Sequence, residues 1–241
     1  MIPLRDRNPT RRAPLVTFAL IGACLAAFAV ELSVTATGGD AALASFFQRW
    51  GAVPADITAA LENGDYFGQA MTGMVSSMFL HGGWLHLLGN LLFLWIFGNN
   101  VEDRLGHVPF LLFYLVGGIA AALTQVVIAP RSEIPLVGAS GAIAAALGAY
   151  IVLFPGARIL SLVFLGFFYQ LLEVPALIVL GFWFALQLVS GFAGFGAETA
   201  QGGVAFFAHI GGFVLGVVVG ILLRIAGAGT ARRGPGLRTM G

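Results

Sequence analysis

Ser140 stands in Gly138-Ala139-Ser140-Gly141, at the head of an apolar run that continues through Ala149 to Phe154. A serine in the first turn of a helix lies among backbone N–H groups that lack intrahelical acceptors. The helix dipole also favours negative charge at that end, so the serine's own amide can hold an oxyanion. Such a position suits a nucleophile. Further along, Ala208-His209-Ile210-Gly211-Gly212 opens a second apolar run, and upstream His86 and Asn90 stand at i and i+4 on a third. A hydroxyl, an imidazole and two side-chain donors on separate apolar segments are the groups that acyl transfer requires.

The elements that must position these groups are membrane spans. With 59% apolar residues, 10% charged residues and a mean hydropathy of +0.93, the 241-residue chain has the composition of an integral membrane protein. A net charge of +1 argues against a nucleic-acid partner, and the lone Cys24 excludes an internal disulfide. All twelve basic residues are arginine, which reads as a genomic composition bias.

Residues 1–14, with Arg5, Arg7, Arg11 and Arg12, read as a short cytosolic arm with nothing to bury. Leu15 to about Val34 has the length of a bilayer span and lacks a signal-cleavage site. From Thr35 to Gly73 the chain is mixed and acidic and reads as a long loop, with Phe46, Phe47 and Trp50 marking an amphipathic piece at the interface. Span two starts at Val75 or Leu85, since His81-Gly82-Gly83 can break it, and ends at Gly98. Span three covers Val108 to Ala129, span four Ala139 to Phe154, span five Val174 to Ser190 and span six Val204 to Ile225. Ile159 to Glu173 is too short for a span of its own and reads as an interfacial or packed segment.

Arginine placement orients this arrangement. One side collects Arg5, Arg7, Arg11, Arg12, Arg104, Arg158, Arg224, Arg232, Arg233 and Arg238; the other has only Arg49 and Arg131. The positive-inside rule then sets both termini in the cytosol. Spans two, four and six all run inward, so His86, Asn90, Ser140 and His209 arrive at one depth near the outer end. Singly, each has a bland reading: a serine between glycines can serve close packing, and a membrane histidine or asparagine can hydrogen-bond a neighbouring helix. Agreement in depth favours the joint reading.

Packing adds a second constraint. At about 100° per residue, His209, Gly212, Gly216 and Gly220 share one face of span six, while Gly141, Ala144, Ala145 and Gly148 give span four a small-residue surface. The two spans are expected to cross in contact and bring His209 to the Ser140 hydroxyl; the sequence leaves open which ring nitrogen is used. Glu102, Asp103 and Glu173 fall at the cytosolic ends of spans, and Glu133 and Glu198 in outer loops. No carboxylate is therefore at hand to orient the histidine, and a Ser140/His209 dyad held by packing and backbone contacts is expected. His86, Asn90 and the Ser140 amide are candidates for the oxyanion hole. No H-E-x-x-H is present, His81 and His86 face different ways on a helix, and no intramembrane aspartate pair exists. Neither a metal nor a cofactor is expected.

These residues resemble the rhomboid family of intramembrane serine proteases over about residues 68–223. The resemblance rests on His81-x4-His86-x3-Asn90, Gly138-x-Ser140-Gly141, His209-x2-Gly212-x3-Gly216 and Gly98-x3-Glu102-x-Arg104-x-Gly106. It implies that Ser140 is the nucleophile, His209 the general base and acid, and His86, Asn90 and the Ser140 amide the oxyanion hole. Structural parts fall to His81, Gly138, Gly141, Glu102, Arg104, Gly212 and Gly216. The implied fold is an all-α polytopic membrane protein, a six-transmembrane-helix rhomboid-like bundle around a water-filled cavity. Residues 1–14 form its cytosolic arm, 15–225 the membrane domain and 226–241 a cytosolic tail. Single-span or otherwise membrane-anchored proteins are the implied substrates, cut near the outer leaflet. The lipid bilayer is a further partner, and the expected location is a bacterial cytoplasmic membrane. Two departures from the family's pattern stand out. Thr72 and Gly73 stand where a Trp-Arg pair is often found, and Ala144 stands where an aromatic often stacks on the histidine. A non-catalytic rhomboid-fold binder or chaperone is the alternative reading, disfavoured by the intact Ser140 and His209. A small-solute transporter is disfavoured by the lack of buried charged pairs within the spans.

Overall fold

The first helix, α1 (Leu15–Trp50), continues well past its apolar half and turns at Gly39, whose φ of 69° suits a residue without a Cβ. The computed structural model describes residues 1–165, 168–193 and 205–231. Glu198 and the basic tail residues Arg232, Arg233 and Arg238 lie outside the described residues.

The stretch 35–73, expected as a long loop, is largely helical. It comprises the second half of α1, then α2 (Pro54–Glu62), with proline at the helix start, and α3 (Gln69–Ser76). Ile57 and Met74 are buried with Ala52 against Ala122 and Val126. Backbone pairing fixes this segment in place of the missing Trp-Arg. Ala52 and Leu136 exchange hydrogen bonds of 3.0 and 2.8 Å, the Ala55 N–H donates to Ser132 O at 3.0 Å, and Ser76 Oγ donates to Trp50 O at 2.6 Å. A Cβ on Gly73 would lie 2.5 Å from Gly51 O, so a larger residue at that position is excluded by the same close approach.

After a 3-10 turn (Ser77–Phe79) the chain breaks at Leu80–Gly83 and bends by 80° into α4 (Trp84–Phe93). The helix in the region expected as span two therefore starts at Trp84, and His81 lies in the break. A π-type turn (Leu94–Gly98) and α5 (Asn99–Leu105) complete it. Gly106, at φ 88°, turns the chain into α6 (His107–Ile128). Then come α7 (Ser140–Leu153), α8 (Ala176–Ala193) and α9 (Phe206–Ala231). Among the described residues three helices, α1, α6 and α9, are long and apolar enough to cross a bilayer, and the bent α3/α4–α5 pair makes up to four; α7 and α8 are shorter apolar helices.

Helix α7 is the centre of the bundle. Every residue from Ala142 to Tyr150 is buried, the mark of a helix covered on all sides, with α6 and α9 as its main neighbours. A Cβ on Gly212 would strike Gly141 O, one on Gly216 would strike Ala145 O, and one on Gly148 would strike Phe213 O. Glycine at these places lets the α7 and α9 backbones touch, as the small-residue faces of the sequence require.

The fold is mostly helical but not all-α. Residues expected as an interfacial or packed segment form an antiparallel hairpin, β2 (Arg158–Leu165) and β3 (Phe168–Pro175). The N-terminal arm, expected to bury nothing, adds β1 (Ile2–Asp6) along the other edge of β2. Along β2, Ile159 and Ser161 are fully buried between less buried neighbours, which is the strand period of two. Arg7 pairs with Glu173, tying the arm to the hairpin.

Candidate active site

Four pieces of backbone meet around Ser140. Helix α7 begins there because Gly138, at φ 131°, turns the preceding loop, held by its N–H donating to Ser77 O at 2.9 Å. Ser140 is therefore in the first turn, where its N–H has no intrahelical acceptor. His209 sits near the start of α9, 8% exposed, and the α7–α9 contact sets its Nε2 2.6 Å from Ser140 Oγ. On the other side of the ring, Nδ1 lies 2.7 Å from Gln187 Oε1, on α8. With an amide oxygen facing Nδ1, that nitrogen carries the proton. Nε2 is then the one that accepts from the serine hydroxyl.

His86 and Asn90 approach from α4. A Cβ on Gly138 would lie 2.7 and 2.8 Å from Cε1 and Nε2 of His86 and 3.4 Å from Ser140 Oγ, so the bare glycine is what lets the imidazole stand beside the serine. The Gly82 N–H donates to His86 Nδ1 at 3.4 Å, which leaves Nε2 as the protonated, donating nitrogen. Asn90 is 7% exposed, and its buried Nδ2 has no hydrogen-bond acceptor among the described residues. An unspent buried donor costs free energy unless something accepts from it. His81 supports the break: its N–H donates to Glu31 Oε1 at 3.0 Å, its Nδ1 contacts Phe79 O at 3.1 Å, and its ring packs edge-on against His86 at 5.3 Å.

The remaining sequence candidates divide. Gly141, Gly212 and Gly216 are at the α7–α9 and α6–α7 contacts, Gly141 with its Cβ position against Ala121. Glu102 is at the opposite end of α4–α5, 1% exposed. Its Oε1 accepts from the Val16 N–H (2.8 Å) and contacts His107 Nδ1 (2.6 Å), while Oε2 accepts from the Thr17 N–H (2.8 Å) and Oγ1 (2.6 Å). It caps the first turn of α1. Arg104 is exposed and has no hydrogen-bond or ion-pair partner among the described residues, so the structural part expected of it is not apparent. No group of three His, Cys, Asp or Glu residues suited to a metal occurs among the described residues.

Gln187 and Trp183 were not singled out in the sequence. Trp183 lies with its ring 5.9 Å from that of His209, tilted by 40°, while Ala144 is fully buried. A glutamine one turn after a tryptophan inside an apolar helix is the available signal, since a polar side chain at membrane depth needs a partner.

Residues 68–226 match the rhomboid domain family. The chain belongs to the rhomboid family. It is 32% identical over 151 residues to rhomboid protein 1, mitochondrial, of Saccharomyces cerevisiae, covering 61% of this chain and 40% of that protein. RHOMBOID-like protein 4 of Arabidopsis thaliana is 33% identical over 168 residues, covering 68% of this chain and 38% of that protein. Rhomboid protease GluP of Bacillus subtilis is 34% identical over 156 residues, covering 65% of this chain and 27% of that protein. The matched region thus spans about two fifths or less of these relatives' length. One of these relatives, GluP, is named a rhomboid protease. The family members here come from bacteria, mitochondria and plants, so the likeness does not single out a bacterial membrane.

Proposed function

We propose that this rhomboid is an intramembrane serine endopeptidase acting on membrane-anchored proteins in or near their transmembrane segment. The observation that carries the reading is the 2.6 Å contact between Ser140 Oγ and His209 Nε2. In the proposed reaction Oγ attacks the scissile carbonyl carbon as its proton passes to Nε2. The carbonyl oxygen gains the negative charge, facing His86 Nε2–H, Asn90 Nδ2–H and the Ser140 N–H. Collapse of the intermediate breaks the C–N bond, and His209 returns the proton to the leaving amine. Water then attacks the acyl-serine ester, losing a proton to His209; as the ester C–O bond breaks, His209 passes that proton to Ser140 Oγ, and the carboxylic acid product leaves and ionises in water.

The proposed topology has six crossings by α1, α4–α5, α6, α7, α8 and α9, with both termini in the cytosol, and rests on the arginine asymmetry. Helix α7 has 14 residues, about 21 Å at 1.5 Å per residue, against a hydrocarbon core of about 30 Å. With its C-terminal end at the cytosolic boundary, Ser140 starts about 9 Å below the outer one. A serine sunk to that depth would meet substrate helices inside the membrane.

The test is active-site labelling of the detergent-solubilised protein with a fluorophosphonate, alongside cleavage of single-span model substrates. Wild type is expected to form an adduct on Ser140 and to cut the substrates; Ser140→Ala and His209→Ala are expected to do neither. Unchanged cleavage by Ser140→Ala would end the reading.

A further inference from the structure

We propose that Gln187 is a positioning residue for His209, completing a Ser140–His209–Gln187 relay in which a neutral amide takes the place that a carboxylate holds in soluble serine hydrolases. The inference rests on the protease reading above and adds to it the group that fixes the base. An imidazole has two nitrogens, and only the tautomer protonated at Nδ1 can take a proton from Ser140 at Nε2. Gln187 Oε1, 2.7 Å from Nδ1, accepts a hydrogen bond from that tautomer and from no other neutral one. Trp183, at i−4 on the same face of α8, packs against the ring. One helix thus holds the imidazole by its edge and by its face.

This arrangement also accounts for Ala144. The position on α7 where the resemblance expects a stacking aromatic is fully buried against its neighbours, so the support comes from α8 instead. An amide suits the site for an electrostatic reason. A carboxylate buried at this depth would carry a large desolvation cost, and it would favour the imidazolium over the neutral base that attack by serine requires. The amide orients the ring without adding a charge.

The experiment compares wild type with Gln187→Leu, which keeps bulk but has no acceptor, and Gln187→Glu, which keeps an acceptor. Two readouts are used. The first is the tautomer of His209, from 15N NMR of histidine-labelled protein assigned against His209→Ala. The second is the steady-state cleavage of a single-span substrate. Wild type is expected to show His209 protonated at Nδ1, and Gln187→Leu a mixture of tautomers. In cleavage, Gln187→Leu is expected to lose about 10- to 10²-fold in kcat with KM held, the size seen when the hydrogen-bond partner that orients a metal-ligating histidine is removed. Gln187→Glu should recover most of that loss only above the acidic limb of its pH profile, which moves to higher pH because the carboxylate favours the imidazolium. An unaltered His209 tautomer in Gln187→Leu, or a kcat and pH profile equal to wild type in both variants, would overturn the proposal. Because the tautomer is read without turnover, a wild type that neither labels nor cleaves would remove the protease reading alone.

Discussion

At the Glu102 end of the bundle four polar groups converge on one carboxylate, from Val16, Thr17 and His107. Nearby, Asp6 accepts from Asn100 Nδ2 at 2.5 Å and from the Tyr150 hydroxyl at 3.0 Å, and Asn8 donates to that hydroxyl at 2.9 Å. At the Ser140 end, Asn90 Nδ2 and His81 Nε2 are buried with no partner among the described residues, as is Glu31 Oε2. Both ends bury polar groups among apolar helices, and depth alone does not tell them apart. Satisfaction does: one end has used its hydrogen-bonding capacity to fix the fold, and the other leaves capacity unspent, the Asn90 amide donor together with two acceptors on His81 and Glu31. In a membrane protein this distinction marks which polar cluster is spent on structure and which is left able to bind something else.

Glu102→Ala should break the comparison most severely. It strips the α1 N-terminus of its acceptors and leaves buried donors unpaired, at a cost of about 3–5 kcal/mol. A fall of that order in unfolding free energy, measured in detergent, is expected. A variant as stable as wild type would mean that the cluster is not structural.

Asn90→Ala should do the reverse. Removing one oxyanion donor is expected to lower kcat about 10²-fold, roughly 2.7 kcal/mol. The unfolding midpoint should be no lower than that of wild type, because the lost amide group had no partner to its nitrogen. A lowered midpoint with kcat intact would reverse the assignment of the two ends.

The smallest effect is expected at Asp6. Burial raises its carboxyl above the ordinary value of 3.8, against the opposing hydrogen bonds from Tyr150 and Asn100 and the Arg5 charge. A raised value in the folded state means that folding favours the neutral acid. Its contribution to stability is therefore complete below the ordinary value and is lost as pH rises through the raised one. Unfolding midpoints followed from about pH 4 upward should fall in wild type relative to Asp6→Asn. Parallel curves for the two proteins would show that Asp6 is not the group responsible.

The candidate site residues that the structure brings together were legible because each marks itself locally. Ser140 and His209 stand beside glycines on apolar runs, His86 and Asn90 share a helix face, and the glycines of α7 and α9 repeat at the spacing that lets two backbones touch. The hairpin and β1 were not legible. An apolar run such as Ile159–Leu165 fits a buried strand or a buried helix equally, and β1 finds its partner only across most of the chain. The helical content of 35–73 was hidden in the same way, since Ala52, Ile57 and Met74 acquire an apolar environment only by docking on α6.

Composition and spacing by themselves determined that this is a membrane protein, which segments are apolar, and which side chains could react. They could do so because desolvation penalises polar groups in lipid wherever the chain goes. Tertiary structure alone decided that Nε2 faces Ser140, that Gln187 and Trp183 hold the ring, and that Glu102 caps α1. Those are contacts between residues far apart in sequence, with directions set by helix crossings that no local pattern encodes.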